Sequence, residues 1–436
     1  MRGYLIGHSR KLESLKNLED YRRRIDRKYK KKKIKKLIED MRINLDRYLI
    51  NMKIPGVIKK YPEDFIVEEI TRDGIVLEYG RDLGVFKDDP NWKGAFIHFT
   101  LEKINWNTLD AIGELARRTN SKRKNFGFAG TKDKYAATTQ RVGCFGIKVE
   151  ALEKIKNSIK GIRIRDIQRT NKKLKLGDLW GNRFTIKVRL EDRDPEEVVE
   201  RLKDIKLNYI LNYYGIQRFG TDRPITHIVG RLIYDRDFEG AFYAYCGTPL
   251  FEEGRAREAR MLVDEGDFKG ALKMYPRELY YERKMLKKYL ETGSFFKSFK
   301  VLPPHLRCMF INAYQSYLFN EIINRRFQYS FEPQEGDILY GGIPTGALLG
   351  RRCRLAEGIQ GEIEREIIEE EGIDLKAFYI EDFGDFPGTR RKMITKVYDF
   401  KYWGEEDGVV FRFKLERGCY ATVLLREFIK DNKNIG

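Results

Sequence analysis

The sequence predicts a domain of mixed α and β structure that is interrupted by a long, mostly helical insertion. Segments in which apolar and polar residues alternate, as in half-buried strands, cluster before about residue 215 and after about residue 395. Between them, from about Ile225 to Arg326, the chain is predicted to be mainly helical. Its 436 residues are too many for one typical domain and predict two or three.

The predicted strands are short and regular. The clearest are "DFIVEEI" (Asp64–Ile70), "FIHFTLEKI" (Phe96–Ile104), "GNRFTIKVRL" (181–190) and "VVFRFKL" (409–415). In the second of these, Ile97, Phe99 and Leu101 share one face, as the two-residue period of a strand requires. The following "NTLDAIGELARRTN" predicts a helix that Asn107 caps.

The helical insertion contains a short repeat, "DFEGA" at Asp237 and "DFKGA" at Asp267. The repeat predicts two related helical hairpins. Two copies are too few for a solenoid, in which at least three repeats bury a continuous core.

The N-terminal part is predicted to be a basic helical arm over residues 12–49, because leucines and tyrosines recur there every three or four residues. Within it lies the run "RRRIDRKYKKKKIKK" (Arg22–Lys36). One interpretation is a solvated helical face. The other is a surface that binds phosphates and adds affinity without sequence specificity. The sequence leaves both open.

Composition limits the classes of partner. The net charge is +19 and the isoelectric point about 9.4, which favours nucleic acid as the partner, with an anionic membrane surface as the alternative. No apolar run is long enough to cross a bilayer, and the N-terminus lacks the apolar core of a secretory signal. Five scattered cysteines without a CxxC pair, and only four histidines, predict reduced thiols, a cytoplasmic location and no metal site.

One stretch, "GFAGTKDKYAATTQ" (Gly127–Gln140), places a single acid, Asp133, between Lys132 and Lys134. A phosphate-binding P-loop is excluded, because that motif needs a lysine directly after its last glycine. Two interpretations remain on residue types alone. Asp133 is either a residue of a solvated turn or a nucleophile that neighbouring cations hold ready.

Five motifs in one order resemble those of the TruD family of tRNA pseudouridine synthases, in its archaeal type. They are "PEDFIVEEI", "GTKDKYAATTQ", "LKLGDLWGNRFTIKVR", "LNYYGIQRFG" and "RGCYATVLLREFI", which together cover residues 62 to 430. Each motif alone is weak to moderate, and the set is highly specific. The basic arm before residue 50 matches none of the family's motifs.

The resemblance implies an α+β fold, in which a catalytic domain with a central, largely antiparallel sheet is interrupted by an inserted domain. We expect a basic extension over 1–50, the catalytic domain over 51–213 and 389–436, and the inserted domain over 214–388. The activity implied is the isomerisation of uridine to pseudouridine in tRNA, at position 13, by a single aspartate. That aspartate attacks C6 of the uracil or C1′ of the ribose, and the sequence does not choose between these routes.

Six residues carry the implied site. Asp133 is the expected nucleophile, and Phe65, Asn182, Phe184, Tyr420 and Arg426 are the expected substrate-binding residues. We expect Arg426 to pair directly with Asp133, since a guanidinium fork fixes a carboxylate better than an ammonium does. Phe184 is expected to pack against a flipped-out uracil, although both phenylalanines could instead be ordinary core residues. Lys132 and Lys134 either add to the field at Asp133 or contact phosphates.

The reaction is redox-neutral, so no cofactor is expected. The predicted partner is tRNA, with no membrane involved, and the protein is predicted to be a monomer. An alternative is a non-catalytic RNA-binding protein on the same scaffold. The presence of Asp133 argues against it, since a degenerate relative would be free to lose the acid. A methyltransferase would need a glycine-rich cofactor loop after a strand, and the sequence has none.

Overall fold

The computed structural model describes residues 31–430 except 46, 90, 93 and 192. The helices are α1 (residues 31–40), α2 (Thr108–Arg118), α3 (Val149–Ile155), α4 (Pro195–Leu202), α5 (Thr226–Tyr234), α6 (Phe238–Cys246), α7 (Gly254–Glu265), α8 (Phe268–Met274), α9 (Tyr280–Thr292), α10 (Phe295–Phe299), α11 (Pro304–Arg326), α12 (Gly358–Glu370) and α13 (Ala421–Ile429). Within the described residues, no helix combines the length and the apolar character needed to cross a bilayer.

The strands are β1 (Gly56–Val57), β2 (Phe65–Ile70), β3 (Phe96–Ile104), β4 (Phe126–Phe128), β5 (Ala137–Phe145), β6 (Ile162–Thr170), β7 (Gly181–Leu190), β8 (Tyr209–Leu211), β9 (Leu339–Tyr340), β10 (Ile343–Leu348), β11 (Tyr379–Ile380), β12 (Gly384–Asp385), β13 (Thr389–Lys392), β14 (Ile394–Lys396), β15 (Tyr398–Glu405) and β16 (Gly408–Glu416). The predicted strands at 64–70, 96–104, 181–190 and 409–415 are therefore confirmed to within a residue.

The chain packs into two compact units. The sheet unit comprises Tyr48–Asn212 and the chain from Ile394 onward, and the helical unit comprises Tyr213–Met393 with the described residues up to Arg47. The domain limits expected from the sequence, at 50, 213 and 388, stay a proposal.

A large sheet forms the centre of the sheet unit. Its strands follow the order β15-β16-β7-β2-β5-β3-β6, with β1 beside β7 and β4 beside β5. The neighbours β2 and β5 run parallel, and the other pairs of this sheet run antiparallel. The largely antiparallel sheet that the resemblance implies is thus confirmed.

Helices cover both ends of one face of this sheet. At one end, Ala111, Ile112 and Leu115 of α2 pack into a core with Phe99 and Leu101 of β3. The predicted cap is present, since the Asn107 side chain accepts a hydrogen bond from Asp110 N. At the other end, Phe428 of α13 stacks on Phe411 of β16, with ring centres 5.0 Å apart. We call this covered side of the sheet the front face.

The reverse face of the sheet is lined by paired charges. Arg183 of β7 donates to both carboxylate oxygens of Glu68 at 2.5 and 2.8 Å, and Arg165 of β6 lies 2.9 Å from Glu102. Arg189 binds both oxygens of Asp64 at 2.8 Å. These cations are satisfied by the protein itself.

The helical unit is built around α11, whose 23 residues are buried along most of their length. Asp237 and Asp267 cap α6 and α8, each accepting a backbone hydrogen bond at 2.8 Å from the glycine three residues on. The "DFxGA" repeat therefore encodes two equivalent helix starts, as a pair of related hairpins requires. The predicted helical character of the insertion is confirmed.

The N-terminal arm differs from the expectation. Helix α1 ends at Asp40, whereas the periodicity predicted helix up to residue 49. Further along, Leu49 N and Ile50 N both donate to Glu427 Oε2, at 2.7 and 3.0 Å, so these two amides bind a side chain and not a helical carbonyl. Residues 12–30 of the predicted helix, with most of its basic run, lie outside the described residues.

Candidate active site

Asp133 lies on the loop between β4 and β5. Its Oδ2 is 3.2 Å from Nζ of Lys59. The Asp133 side chain is 54% exposed, whereas Lys59 is only 15% exposed. The protein therefore holds the cation in place and turns the carboxylate outward, where a substrate can reach it.

Backbone geometry and an aromatic ring together fix Lys59. Its φ is 59°, in the left-handed region that residues with a Cβ rarely adopt and that is often found at functional sites. Its Nζ lies 4.3 Å from the centre of the Phe65 ring, within the range of a cation–π contact.

The rings beneath the ion pair form a small cluster on the front face. Phe184 of β7 lies opposite Phe413 of β16, and their rings stack with centres 5.5 Å apart. Phe65 meets Phe184 edge-on at 6.4 Å. Both Phe65 and Phe184 are buried, so in the free protein they behave as core residues.

Asn182 stands on the same face as Phe184, two residues earlier on β7. Directly opposite strand residues share a face of the sheet, and Asn182 lies opposite Glu69 of β2 and Leu415 of β16. Its Oδ1 is buried and has no hydrogen-bond partner among the described residues. Such a group is costly unless something completes it, and the N3–H of a uracil is a donor of the right kind.

Buried polar side chains support the loop that carries Asp133. Lys103 Nζ donates to the backbone oxygens of Trp106 and Asp133, at 2.6 and 2.8 Å. Gln140 Nε2 donates to Gly130 O at 3.0 Å, so Gln140 belongs to the scaffold. Burial lowers the pKa of Lys103 to about 8, while the nearby Asp133 opposes that shift.

The two lysines that flank Asp133 in the sequence point to different places. Lys132 is buried, and its Nζ lies 2.6 Å from Glu69, so it cannot contact phosphate or act at the Asp133 carboxylate. Lys134 is exposed.

Lys59 is a cation at the Asp133 carboxylate that the sequence did not indicate, and direct pairing of Arg426 with Asp133 stays a prediction. Arg426 lies on α13, is 2% exposed, and holds its guanidinium carbon 4.7 Å from the centre of the Tyr48 ring. Every residue of α13 is buried, so its orientation is set by packing. Tyr420 stands at the N-cap of the same helix.

Sequence reasoning missed Lys59 and Lys103. Lys59 stands three residues before Pro62, beside the "PEDFIVEEI" motif, so its neighbourhood carried a signal. Nothing in the sequence separates Lys59 from the adjacent Lys60. Lys103 lies two residues after Leu101 and therefore on the same, apolar face of β3. A lysine on that face is unusual and could have been used as a signal.

The family model of tRNA pseudouridine synthase D (TruD) matches residues 42–342 and 341–428 of the chain. The chain belongs to the TruD family. A relative from Methanococcus aeolicus, described as a probable tRNA pseudouridine synthase D, is 62% identical over 402 residues, covering 90% of this chain and all of the relative. One from Methanocaldococcus jannaschii, described as a probable tRNA pseudouridine synthase D 1, is 61% identical over 392 residues, covering 89% of this chain and 99% of the relative.

A solved structure agrees with this family membership. The crystal structure of TruD from Methanosarcina mazei superposes with a TM-score of 0.72 at 32% identity, covering 92% of this chain and 99% of that one. The pseudouridine synthase fold with its insertion is therefore present in this TruD-family chain.

Proposed function

We propose that this chain isomerises uridine to pseudouridine in tRNA, at position 13, with Asp133 as the nucleophile on a flipped-out base. The observation that carries the proposal is the exposed Asp133 carboxylate, which the largely buried Lys59 holds on the front face of the sheet. Family membership and the names of the relatives support the same activity.

The chemistry needs an ionised carboxylate that stays in position. Asp133 attacks C6 of the uracil or C1′ of the ribose, and both routes remain open. The glycosidic C1′–N1 bond breaks, the base rotates, a C5–C1′ bond forms, and the C5 proton leaves as the Asp133 adduct is released. Lys59 supplies a positive charge 3.2 Å from the Asp133 carboxylate and holds it in position for attack.

The remaining residues receive the base. Asn182 accepts a hydrogen bond from the uracil edge, and Phe65 and Phe184 form the apolar floor on which the extruded base rests. We propose that Tyr420 and Arg426, at the start and on the body of α13, complete the substrate site. No cofactor or metal takes part in the proposed reaction.

The proposed setting follows from the substrate. We propose that the protein acts on tRNA as a monomer in the cytoplasm. All five of its cysteines are free, as thiols in a reducing compartment would be.

The test is a paired measurement on the wild type and Asp133→Asn with unmodified tRNA. Product analysis should detect pseudouridine with the wild type and none with the variant, while filter binding shows equal or tighter tRNA affinity, because a negative charge has been removed. Asp73→Asn, at an exposed turn of the same unit, is the matched control and should remain active. Turnover by Asp133→Asn within tenfold of the wild type would exclude Asp133 as nucleophile, and a wild type without product would favour the RNA-binding alternative.

A further inference from the structure

A cavity lies on the sheet unit, apart from the aromatic cluster beneath Asp133. It has a volume of about 250 Å³, and its lining includes Phe96, Phe126, Phe145, Leu174, Lys124 and Lys173. Phe145 is 50% exposed and packs against Phe96, with ring centres 5.3 Å apart. An aromatic ring that is half open to solvent inside a cavity is a ready surface for another planar group.

Glycines shape this cavity by letting the segment 171–178 approach the sheet. A Cβ on Gly127 would lie 2.5 Å from Leu174 O, and one on Gly143 would lie 3.1 Å from the Leu174 Cβ. The first distance is too short for any side chain. The cavity is therefore a consequence of how β4, β5 and this segment pack, and it does not depend on a chance surface conformation.

Two of the six cations in the neighbouring segments, Lys124 and Lys173, line the cavity. The segments "SKRKNFG" (121–127) and "NKKLKLG" (171–177) contain no acidic residue and contribute Lys122, Arg123, Lys124, Lys172, Lys173 and Lys175. All six are exposed, and none has an ion-pair partner among the residues that the structure describes. Arg165, Arg183 and Arg189 of the same sheet are ion-paired, whereas these six cations have no such carboxylate partner in the described part of the chain.

The cavity lies on the reverse face of the sheet, at the opposite end of β5 from the Asp133 loop, and one backbone contact links its wall to that loop. Gly177 N donates to Ala129 O at 2.7 Å, which ties the segment 171–178 to the loop that carries Asp133. Ala129 is four positions before Asp133, so their Cα atoms lie at most ~14 Å apart. Phe145 is eight positions after Ala137 on β5, roughly 26 Å at ~3.3 Å per residue, so the nucleotide in the cavity and the target uridine are several nucleotides apart.

We propose that this cavity binds one unstacked nucleotide of the RNA strand that carries the target uridine. The base stacks on Phe145, and the flanking phosphates contact Lys124 and Lys173. Single-stranded RNA is recognised in this way, by an aromatic platform beside a basic groove that follows the backbone. The six unpaired cations argue for a polyanion and against an apolar protein segment as the occupant. The proposal rests on the proposed function, because it takes tRNA as the substrate.

One single variant and one double variant, each with a matched control, test the proposal through tRNA affinity. Phe145→Ala should weaken binding about tenfold, within the range measured for loss of one stacked base. Lys124→Ala with Lys173→Ala should reduce the slope of log K against log salt by about 1.4, since each contact with single-stranded phosphate contributes roughly 0.7. The matched controls are Phe251→Ala, also an exposed phenylalanine, and Lys269→Ala with Lys287→Ala, both exposed lysines without ion pairs in the described part of the chain. These controls should leave affinity and slope unchanged.

A third variant separates stacking from a structural role. Phe145→Trp should keep wild-type affinity, and its additional emission should be quenched by tRNA, which a merely structural ring would not show. Unchanged tRNA affinity of Phe145→Ala would overturn the proposal. Emission of Phe145→Trp that tRNA does not alter would also overturn it, and this second readout remains usable if Phe145→Ala is unstable. Turnover at saturating tRNA should stay within about twofold of the wild type. Product formation therefore tests the proposed function, and affinity tests the cavity.

Discussion

Lys59 Nζ lies 3.2 Å from the Asp133 carboxylate and 4.3 Å from the centre of the Phe65 ring. One ammonium group thus joins the candidate nucleophile to the aromatic cluster beneath it. The pair is asymmetric, because the lysine is mostly buried and the aspartate mostly exposed. A surface ion pair contributes little to stability. A cation fixed by packing, beside a carboxylate that faces outward, is better suited to orienting that carboxylate.

Replacing this cation should slow the reaction. Lys59→Met removes a hydrogen bond to a charged group, and such bonds contribute about 1.5–3 kcal/mol. If that stabilisation is present in the transition state, kcat falls about 10- to 100-fold while KM changes less. Steady-state kinetics on unmodified tRNA measure both constants.

Lys134→Met is the matched control for Lys59→Met, since Lys134 is an exposed lysine beside the same aspartate. It should retain nearly full kcat, with a small rise in KM if it contacts phosphate. Equal kcat values for Lys59→Met and the wild type would show that another cation orients Asp133 in the complex with tRNA.

Asn182 should show opposite effects on activity and stability. Its Oδ1 is buried without a partner among the described residues, so removing it relieves a desolvation cost of about 1–3 kcal/mol. Asn182→Ala should therefore keep or raise Tm, while kcat/KM falls about tenfold because the uracil edge loses an acceptor.

Asn320→Ala provides the contrast for Asn182→Ala. The Asn320 amide accepts from Tyr214 N and donates to Tyr214 O, at 2.9 and 3.0 Å, so its loss should lower Tm. Thermal unfolding and kinetics of the two variants decide whether Asn182 binds the substrate or supports the scaffold. A fall in Tm for Asn182→Ala of the same size as for Asn320→Ala would assign Asn182 to the scaffold.

The strands of the sheet could be predicted because their signal is local. A two-residue alternation depends only on which face of a strand is buried, and β7 and β16 appear within a residue of their predicted limits. The cation at Asp133 could not be predicted in this way. Lys59 is 74 positions from Asp133 in the sequence, whereas the adjacent Lys132 forms an ion pair with the buried Glu69.

The chemistry of Arg426 does not fix its position either. A guanidinium is a good partner for a carboxylate, but that argument says nothing about which way a helix faces. The packing of α13 against the sheet buries Arg426, and its direct pairing with Asp133 stays a prediction. The end of α1 at Asp40 shows in the same way that local periodicity alone does not set where a helix ends.

Lys103 should make stability depend on pH between about 8 and 10.5. Its pKa in the folded protein is about 8, below the ordinary 10.5, so the unfolded chain binds more protons in this window. The free energy of unfolding therefore rises with pH there, by on the order of 3 kcal/mol if Lys103 acts alone.

Urea unfolding at pH 7 and pH 10 measures this contribution by comparison with Lys103→Met. Other lysines titrate equally in both proteins and cancel. The wild type should gain more stability than the variant between the two pH values, and an equal gain would show that Lys103 keeps an ordinary pKa. Lys134→Met, which removes an exposed lysine, should follow the wild type.

The basic arm can be tested within α1, where the structure describes two kinds of lysine. Lys33 Nζ lies 3.0 Å from Asp237 and Lys31 Nζ lies 3.6 Å from Asp264, so both are engaged by the helical unit. Lys32 and Lys36 are exposed and have no ion pair among the described residues.

If the arm binds phosphates, the free lysines should do so. Lys32→Ala with Lys36→Ala should weaken tRNA binding and reduce the salt slope by about 1.5, since fewer counterions are released. Lys31→Ala with Lys33→Ala is the matched pair and should change the slope less, because those charges already face carboxylates. Turnover at saturating tRNA should be unaffected in both, as the arm contacts no reacting atom in the proposed mechanism. Equal slopes for the two double variants and the wild type would leave α1 as a solvated face that serves only the packing of the helical unit.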